Sequence, residues 1–137
     1  MERAAIKERA SELKTDARRG RSSAKAAADE RDVLAKISEM AEPDRALAER
    51  VHAVITTTAP ELAPKLWYGQ PAYARDGKVM CFFRSGQVDK ERYSSLGFTV
   101  EANLDADDGI WPTAYALTEL SEAGEATLRE LVRKAVS

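Results

Sequence analysis

The residues with the clearest chemical potential lie in one aromatic segment between positions 67 and 83. It opens with the motif Trp67-Tyr68-Gly69-Gln70-Pro71-Ala72-Tyr73 and continues through Asp76-Gly77-Lys78 to Val79-Met80-Cys81-Phe82-Phe83. Rings beside a Gly-x-Pro bend can wall a concave apolar site, with a tyrosine hydroxyl and a lysine ammonium at its mouth. We therefore predict a ligand-binding surface formed by Trp67, Tyr68, Tyr73, Lys78 and Phe82.

Strand alternation limits how many of these side chains can meet. In an extended strand Tyr73 and Arg75 project to one side, whereas Ala72 and Ala74 project to the other. At most half of the segment can therefore share one face. For each ring taken singly, burial in the core is the alternative.

A second candidate site is the acidic segment after position 100. Hard cations prefer oxygen ligands, and two or three carboxylates of one loop could gather around one cation. A solvated acidic loop is the alternative, because no histidine or regular spacing fixes a coordination geometry. The candidate metal ligands are Glu101, Asp105, Asp107 and Asp108.

No catalytic constellation can be assembled from the remaining residues. His52 is the only histidine and Cys81 the only cysteine, so neither a zinc site nor a Ser-His-Asp triad follows from motifs. Cys81 lies among apolar strand residues, where a buried, inert thiol is expected. The sequence leaves an enzymatic role open but favours binding over catalysis, and no motif implies a cofactor.

Helices are the first of the predicted elements that position these residues. Apolar residues recur at helical spacing in four stretches, which predicts four helices. A linker is predicted over residues 20–28. Asp29 or Asp32 is the predicted N-cap of the second helix, and Ser121 is the predicted N-cap of the last helix. The stripes are Ile6, Ala10, Leu13 and Ala17; Val33, Leu34, Ile37 and Met40; Leu47, Val51, Val54 and Ile55; and Leu128, Leu131, Val132 and Ala135.

The pattern between the third and fourth helices is typical of strands. Short ring-rich or β-branched runs cover residues 66–68, 72–75 and 78–83, and further strands are expected near 95–100 and 113–117. Asp76-Gly77 is a strong hairpin signal. The prediction is an α+β domain with an antiparallel sheet of four to five strands and helices on one face.

With these residues in place, the chain resembles the YdhG-like family of small proteins, in the frataxin-like (YjbR/CyaY-like) superfamily. The resemblance rests on the motif from Trp67 to Tyr73, on Asp76-Gly77-Lys78-Val79 and on the two helices joined at Pro43. It covers roughly residues 30–136 and implies a helix–sheet–helix sandwich. Some relatives are described as iron chaperones, which implies iron as the metal for the acidic loop. We expect an N-terminal extension and linker over residues 1–28 and a domain over residues 29–137.

Composition and charge narrow the possible partners. The 137 residues suit one domain, and the charged N-terminus and the lack of a long apolar run predict a cytoplasmic protein without a membrane span. Residues 1–25 hold eight Lys or Arg and four Asp or Glu, a charge of +4, so the remainder carries −6 of the total −2. The interleaved acids favour a solvated helix over nucleic-acid binding.

Three functional hypotheses follow. The first is a ligand- or partner-binding protein that uses the aromatic-lined sheet surface to hold a small molecule or a protein. The alternative is iron handling through the acidic loop. The third is an interaction protein that forms a homodimer through its N-terminal helix.

Overall fold

The computed structural model describes residues 23–137, which form three helices and five strands. Helix α1 covers residues 23–38 of the described part. The remaining elements are α2 (Asp44–Thr58), β1 (Ala63–Trp67), β2 (Gln70–Arg75), β3 (Lys78–Arg84), β4 (Ser94–Phe98), β5 (Ala114–Leu117) and α3 (Glu122–Val136).

The strands form one antiparallel sheet in the order β1-β2-β3-β4-β5, so each strand pairs with its neighbours in sequence. Short turns join the first three strands, because two-residue hairpins suffice between antiparallel neighbours. The turn between β2 and β3 is Asp76-Gly77, and both residues have positive φ, +53° and +80°. This confirms the predicted hairpin, and the whole arrangement confirms an α+β fold.

Helix ends follow local chemistry. Helix α2 begins directly after Pro43 and ends at Thr58, before Ala59-Pro60. The hydroxyl of Ser121 accepts a hydrogen bond of 3.1 Å from the Gly124 N–H at the start of α3, which confirms the predicted N-cap.

The core lies between the helices and one face of the sheet. Helices contribute the buried side chains Val33, Ile37, Leu47, Val51, Ile55, Leu128 and Val132. Strands contribute Tyr73, Cys81, Phe83, Leu96 and Phe98 to the same cluster. Cys81 pairs with Tyr73 on β2 and with Phe98 on β4, and Phe83 pairs with Leu96, so these side chains share a face. The alternate residues, among them Trp67, Ala72 and Phe82, belong to the other face.

Helix α1 corrects three predictions. Residues 23–28 are helical and continuous with the rest of α1, so the predicted linker does not extend over them. Asp29 and Asp32 lie inside the helix and are not N-caps. Leu34 is 47% exposed and not part of the buried stripe. The predicted helix of residues 2–19, its dimer and the start of the linker lie outside the described residues, so the N-terminal extension stays a prediction.

None of the helices within residues 23–137 combines the length and the apolar character that a membrane crossing requires.

Candidate functional site

Tyr68 and Gly69 form the turn between β1 and β2. Their φ angles are +52° and +73°, and a type I′ turn needs positive φ at both central positions. Glycine adopts such angles freely, whereas a bulky residue with positive φ is uncommon. Tyr68 gains little burial there, since it is 87% exposed. The turn therefore presents a tyrosine ring to solvent at a conformational cost.

Two further rings lie beside Tyr68. The Trp67 ring centroid is 4.8 Å from that of Tyr68 and 5.1 Å from that of Phe82. Phe82 occupies the space above Gly97, its partner on β4, where a Cβ would lie 2.5 Å from the ring atom Cζ. The structure thus brings together three of the five predicted ligand-binding residues, Trp67, Tyr68 and Phe82.

A recess of about 250 Å³ opens beside the β1–β2 turn with Tyr68 among its lining residues, and we call it the Tyr68 recess. Its walls come from the end of α1, the β1–β2 turn, β3 and the loop of residues 85–93. Apolar side chains form much of the lining, and charged side chains of both signs are included. The residues that define it are Lys36, Met40, Tyr68, Pro71, Val88 and Asp89.

The 85–93 loop is anchored to the start of α2 by a buried carboxylate. Asp44 is 6% exposed, and it accepts a hydrogen bond from the Ser85 hydroxyl and one of 3.1 Å from the Gln87 N–H. These bonds satisfy a carboxylate that would be costly to bury alone. They also fix the wall of the Tyr68 recess that carries Val88.

An ion-pair network holds the other charged residue of that wall. The Arg84 guanidinium donates to Asp89 at 2.6 Å and to Glu91 at 2.9 Å. The hydrogen bond with Asp89, followed by the charges of Asp89 and Glu91, raises the pKa of Arg84. Asp89 is therefore oriented by Arg84, and Lys36 supplies a positive charge elsewhere in the lining.

Tyr73 does not join this surface. It is fully buried in the core, and its hydroxyl lies 2.9 Å from Nδ1 of His52. Desolvation by burial, with a smaller contribution from Cys81, raises the pKa of Tyr73, so the hydroxyl stays protonated and can donate to a neutral imidazole. The prediction that Tyr73 lines a ligand-binding surface is wrong.

Lys78 is also displaced from the predicted site. It is exposed at the start of β3 and pairs with Arg75, whereas Trp67 pairs with Gln70 at the other end of β2. Five residues of strand separate the two ends, which is about 17 Å. The lysine that lines the Tyr68 recess is Lys36.

The His52–Tyr73 pair predicts a dependence of stability on pH. Burial lowers the pKa of His52 below its usual 6.5, and the charge of Glu30 offsets part of this effect. Below about pH 6.5 the unfolded state therefore binds more protons than the folded state, and the free energy of unfolding should fall as pH falls. Urea titrations between pH 7.5 and pH 5.5 would measure this fall.

The variant His52→Gln is the control for that measurement, because an amide can accept the tyrosine hydrogen bond but does not titrate. We expect the variant to lose most of the pH dependence in this window. An equal fall in the stability of wild type and variant would contradict the assignment to His52.

The acidic loop does not assemble a metal site. Within residues 23–137, no group of three or more His, Cys, Asp or Glu side chains lies close enough to hold a metal ion. The predicted oxygen cage of Glu101, Asp105, Asp107 and Asp108 is therefore not formed, and the prediction of this metal site is wrong.

Cys81 has the environment predicted for it. Its thiol is free and buried, and desolvation raises its pKa to about 12. A thiol with so high a pKa supplies almost no thiolate at neutral pH and is a poor nucleophile.

Several residues of the Tyr68 recess are not predicted as site residues by the sequence. Lys36 lies in α1 and Met40 two positions after it. Both precede the aromatic motif by more than 25 positions, and no short-range pattern links them to it. Val88 gave a weak signal, since it is an apolar residue within the charged run from Gln87 to Arg92.

No family model, curated protein or solved structure was found to match this chain.

Proposed function

We propose that the protein is an interaction module that binds a partner protein by taking one apolar side chain of that partner into the Tyr68 recess. The single observation that carries this proposal is the Tyr68 ring, which is 87% exposed on a residue with φ of +52°. Backbone strain of this kind persists where the surroundings impose it, and it occurs often at ligand-binding sites.

The fold itself has little use for a tyrosine at position 68. An Asn-Gly or Gly-Gly pair would form the same turn with less strain. The ring contacts Trp67 but buries little of its own surface. Tyrosine is enriched among the residues that dominate protein–protein binding energy, because it offers a large, rigid contact area. A binding role explains why the ring is held in this position.

The surroundings of Tyr68 match the composition of a small interface. Val88, 75% exposed, lies on another wall of the recess, so apolar surface is presented from more than one side. Lys36 and Asp89 add charged groups of the kind found at an interface rim. The volume of about 250 Å³ is below the roughly 300–1,000 Å³ typical of small-molecule pockets and suits a single inserted side chain.

We also propose, from the sequence resemblance, that the chain is a member of the YdhG-like family and, from its composition, that it is cytoplasmic. The α+β arrangement agrees with the fold that this resemblance implies. We do not extend the iron role of some relatives to this chain, because the carboxylates of its acidic loop do not converge.

The proposal can be tested by selecting random displayed peptides for binding to the full chain. We expect the selected peptides to share one apolar residue. Val88→Asp should weaken their binding by about tenfold or more, because it places a charge on the wall of the recess.

The matched control is Val100→Asp, which makes the same change at another exposed valine, 99% exposed and outside the Tyr68 recess. Binding should be retained in this variant. Equal weakening by both substitutions, or none by Val88→Asp, would refute the proposed site.

A further inference from the structure

A second and larger cavity, of about 590 Å³, lies against the loop of residues 99–113 between β4 and β5. We call it the Trp111 cavity. Its lining is largely apolar and includes Phe98, Val100, Leu104, Asp105, Trp111 and Thr113. The volume lies within the range of about 300–1,000 Å³ that is typical of small-molecule sites.

Hydrogen bonds to two other elements fix the loop that walls this cavity. The Thr99 N–H donates to the Met80 carbonyl at 2.9 Å, on β3. The Asn103 N–H donates to the Ala135 carbonyl at 2.9 Å, on α3. Buried Leu104 anchors the next position in the core. The cavity is therefore built between anchored segments, as pre-formed ligand sites are.

The loop that walls the Trp111 cavity is acidic. Residues 99–113 contain four Asp or Glu and no Lys, Arg or His, a net charge of −4. Asp105 lines the cavity itself, and among the ion pairs of the described residues none includes Asp105 or another carboxylate of this loop. A cationic ligand would therefore be favoured over a neutral or anionic one of the same shape.

Trp111 supplies apolar surface for the body of such a ligand. The ring is half-buried and part of the lining, and an aromatic ring offers a large apolar contact area. We propose that the Trp111 cavity binds a small organic amine. Its ammonium group pairs with the Asp105 carboxylate, and its apolar body contacts Trp111 and Phe98.

The test compares three probes of similar shape and different charge, titrated into the full chain and followed by amide chemical shifts. They are phenethylamine, 2-phenylethanol and 3-phenylpropionate, which at neutral pH are cationic, neutral and anionic. We expect saturable binding of phenethylamine at the cavity residues, with the neutral probe weaker and the anionic probe weakest. Asp105→Asn should weaken phenethylamine binding by roughly tenfold, as loss of a charged hydrogen-bond partner does, and leave 2-phenylethanol unchanged.

Asp108→Asn is the control, since it removes the same charge from the same loop outside the cavity lining. Asp105 and Asp108 are both exposed, so both variants should fold. The proposal is overturned if phenethylamine does not saturate, if the three probes bind equally, or if Asp108→Asn weakens binding as much as Asp105→Asn. These outcomes concern a site separate from the Tyr68 recess and leave that proposal unaffected.

Discussion

Replacing Gly86 by alanine is expected to lower the free energy of unfolding by about 2–3 kcal/mol, the range of a strongly overpacked site. A Cβ at this position would lie 2.2 Å from the Tyr93 carbonyl oxygen and 2.5 Å from its carbon. Both atoms are backbone, so the clash cannot be relieved by a rotamer change. The Gly86 N–H also donates to the Ser94 hydroxyl at 3.0 Å, and a shift of the backbone would strain this bond.

Gly124→Ala is the matched control for Gly86→Ala. A Cβ there would lie 3.2 Å from the end of the flexible Leu120 side chain and 3.5 Å, an ordinary contact distance, from the Ser121 hydroxyl oxygen, and alanine is the better helix former. We expect this variant to stay within about 0.5 kcal/mol of wild type or to gain stability. Denaturant titrations of both variants would decide the point, and a Gly86→Ala variant as stable as Gly124→Ala would contradict the described geometry of the 85–93 loop.

Replacing Tyr68 by asparagine is expected to separate binding from stability. Asn-Gly is the preferred pair for this turn, and relief of left-handed strain, about 1 kcal/mol, should offset the lost ring contact with Trp67, about 0.5–1.5 kcal/mol. The free energy of unfolding should therefore stay within about 0.5 kcal/mol of wild type or exceed it. Binding of a selected peptide should weaken by about tenfold or more, because the ring beside the recess is lost.

Asp76→Asn provides the matched control, because Asp76 has nearly the same φ, +53°, in the Asp76-Gly77 turn of the next hairpin. It should leave both stability and peptide affinity close to wild type. If Tyr68→Asn instead lowers the free energy of unfolding by more than about 1.5 kcal/mol, the ring is required for folding. Unchanged peptide affinity in this variant would remove Tyr68 from the binding site.

The two hairpin turns show what local sequence can and cannot predict. Asp76-Gly77 was predicted correctly, since both residue types favour positive φ. Tyr68-Gly69 forms a turn of the same kind, yet the sequence pattern places Tyr68 in a strand, because ring-rich runs are typical of strands. Local preference failed here at the residue that we propose to be functional, as expected where function imposes a strained conformation.

Predicting which face of the sheet the helices cover, and therefore which rings are buried, requires long-range information. Alternation correctly placed Tyr73 and Arg75 on one side, and the Arg75 guanidinium donates to the Val136 carbonyl at 3.0 Å near the end of α3. It could not show that this side is covered by helices. The hydrogen bond from Tyr73 to His52 joins residues 21 positions apart, and no local motif predicts it.

The acidic loop failed as a metal site for a similar reason. Spacing alone could bring Asp105, Asp107 and Asp108 around one ion, but the loop path is set elsewhere, by the bond from Asn103 to α3 and by buried Leu104. Those anchors create an apolar cavity beside the acidic residues instead of a cluster of oxygen ligands. The chemistry expected of the segment therefore changes from metal coordination to recognition of a cation.

The most direct test of the proposed function is amide chemical-shift mapping of a selected peptide on the isotope-labelled full chain. We predict that the largest shifts fall on the walls of the Tyr68 recess, at residues 36, 40, 68–70, 85 and 88–89. Shifts concentrated at the Trp111 cavity or on the α2–α3 surface, with Tyr68 and Val88 unmoved, would contradict the proposal that this recess receives the partner.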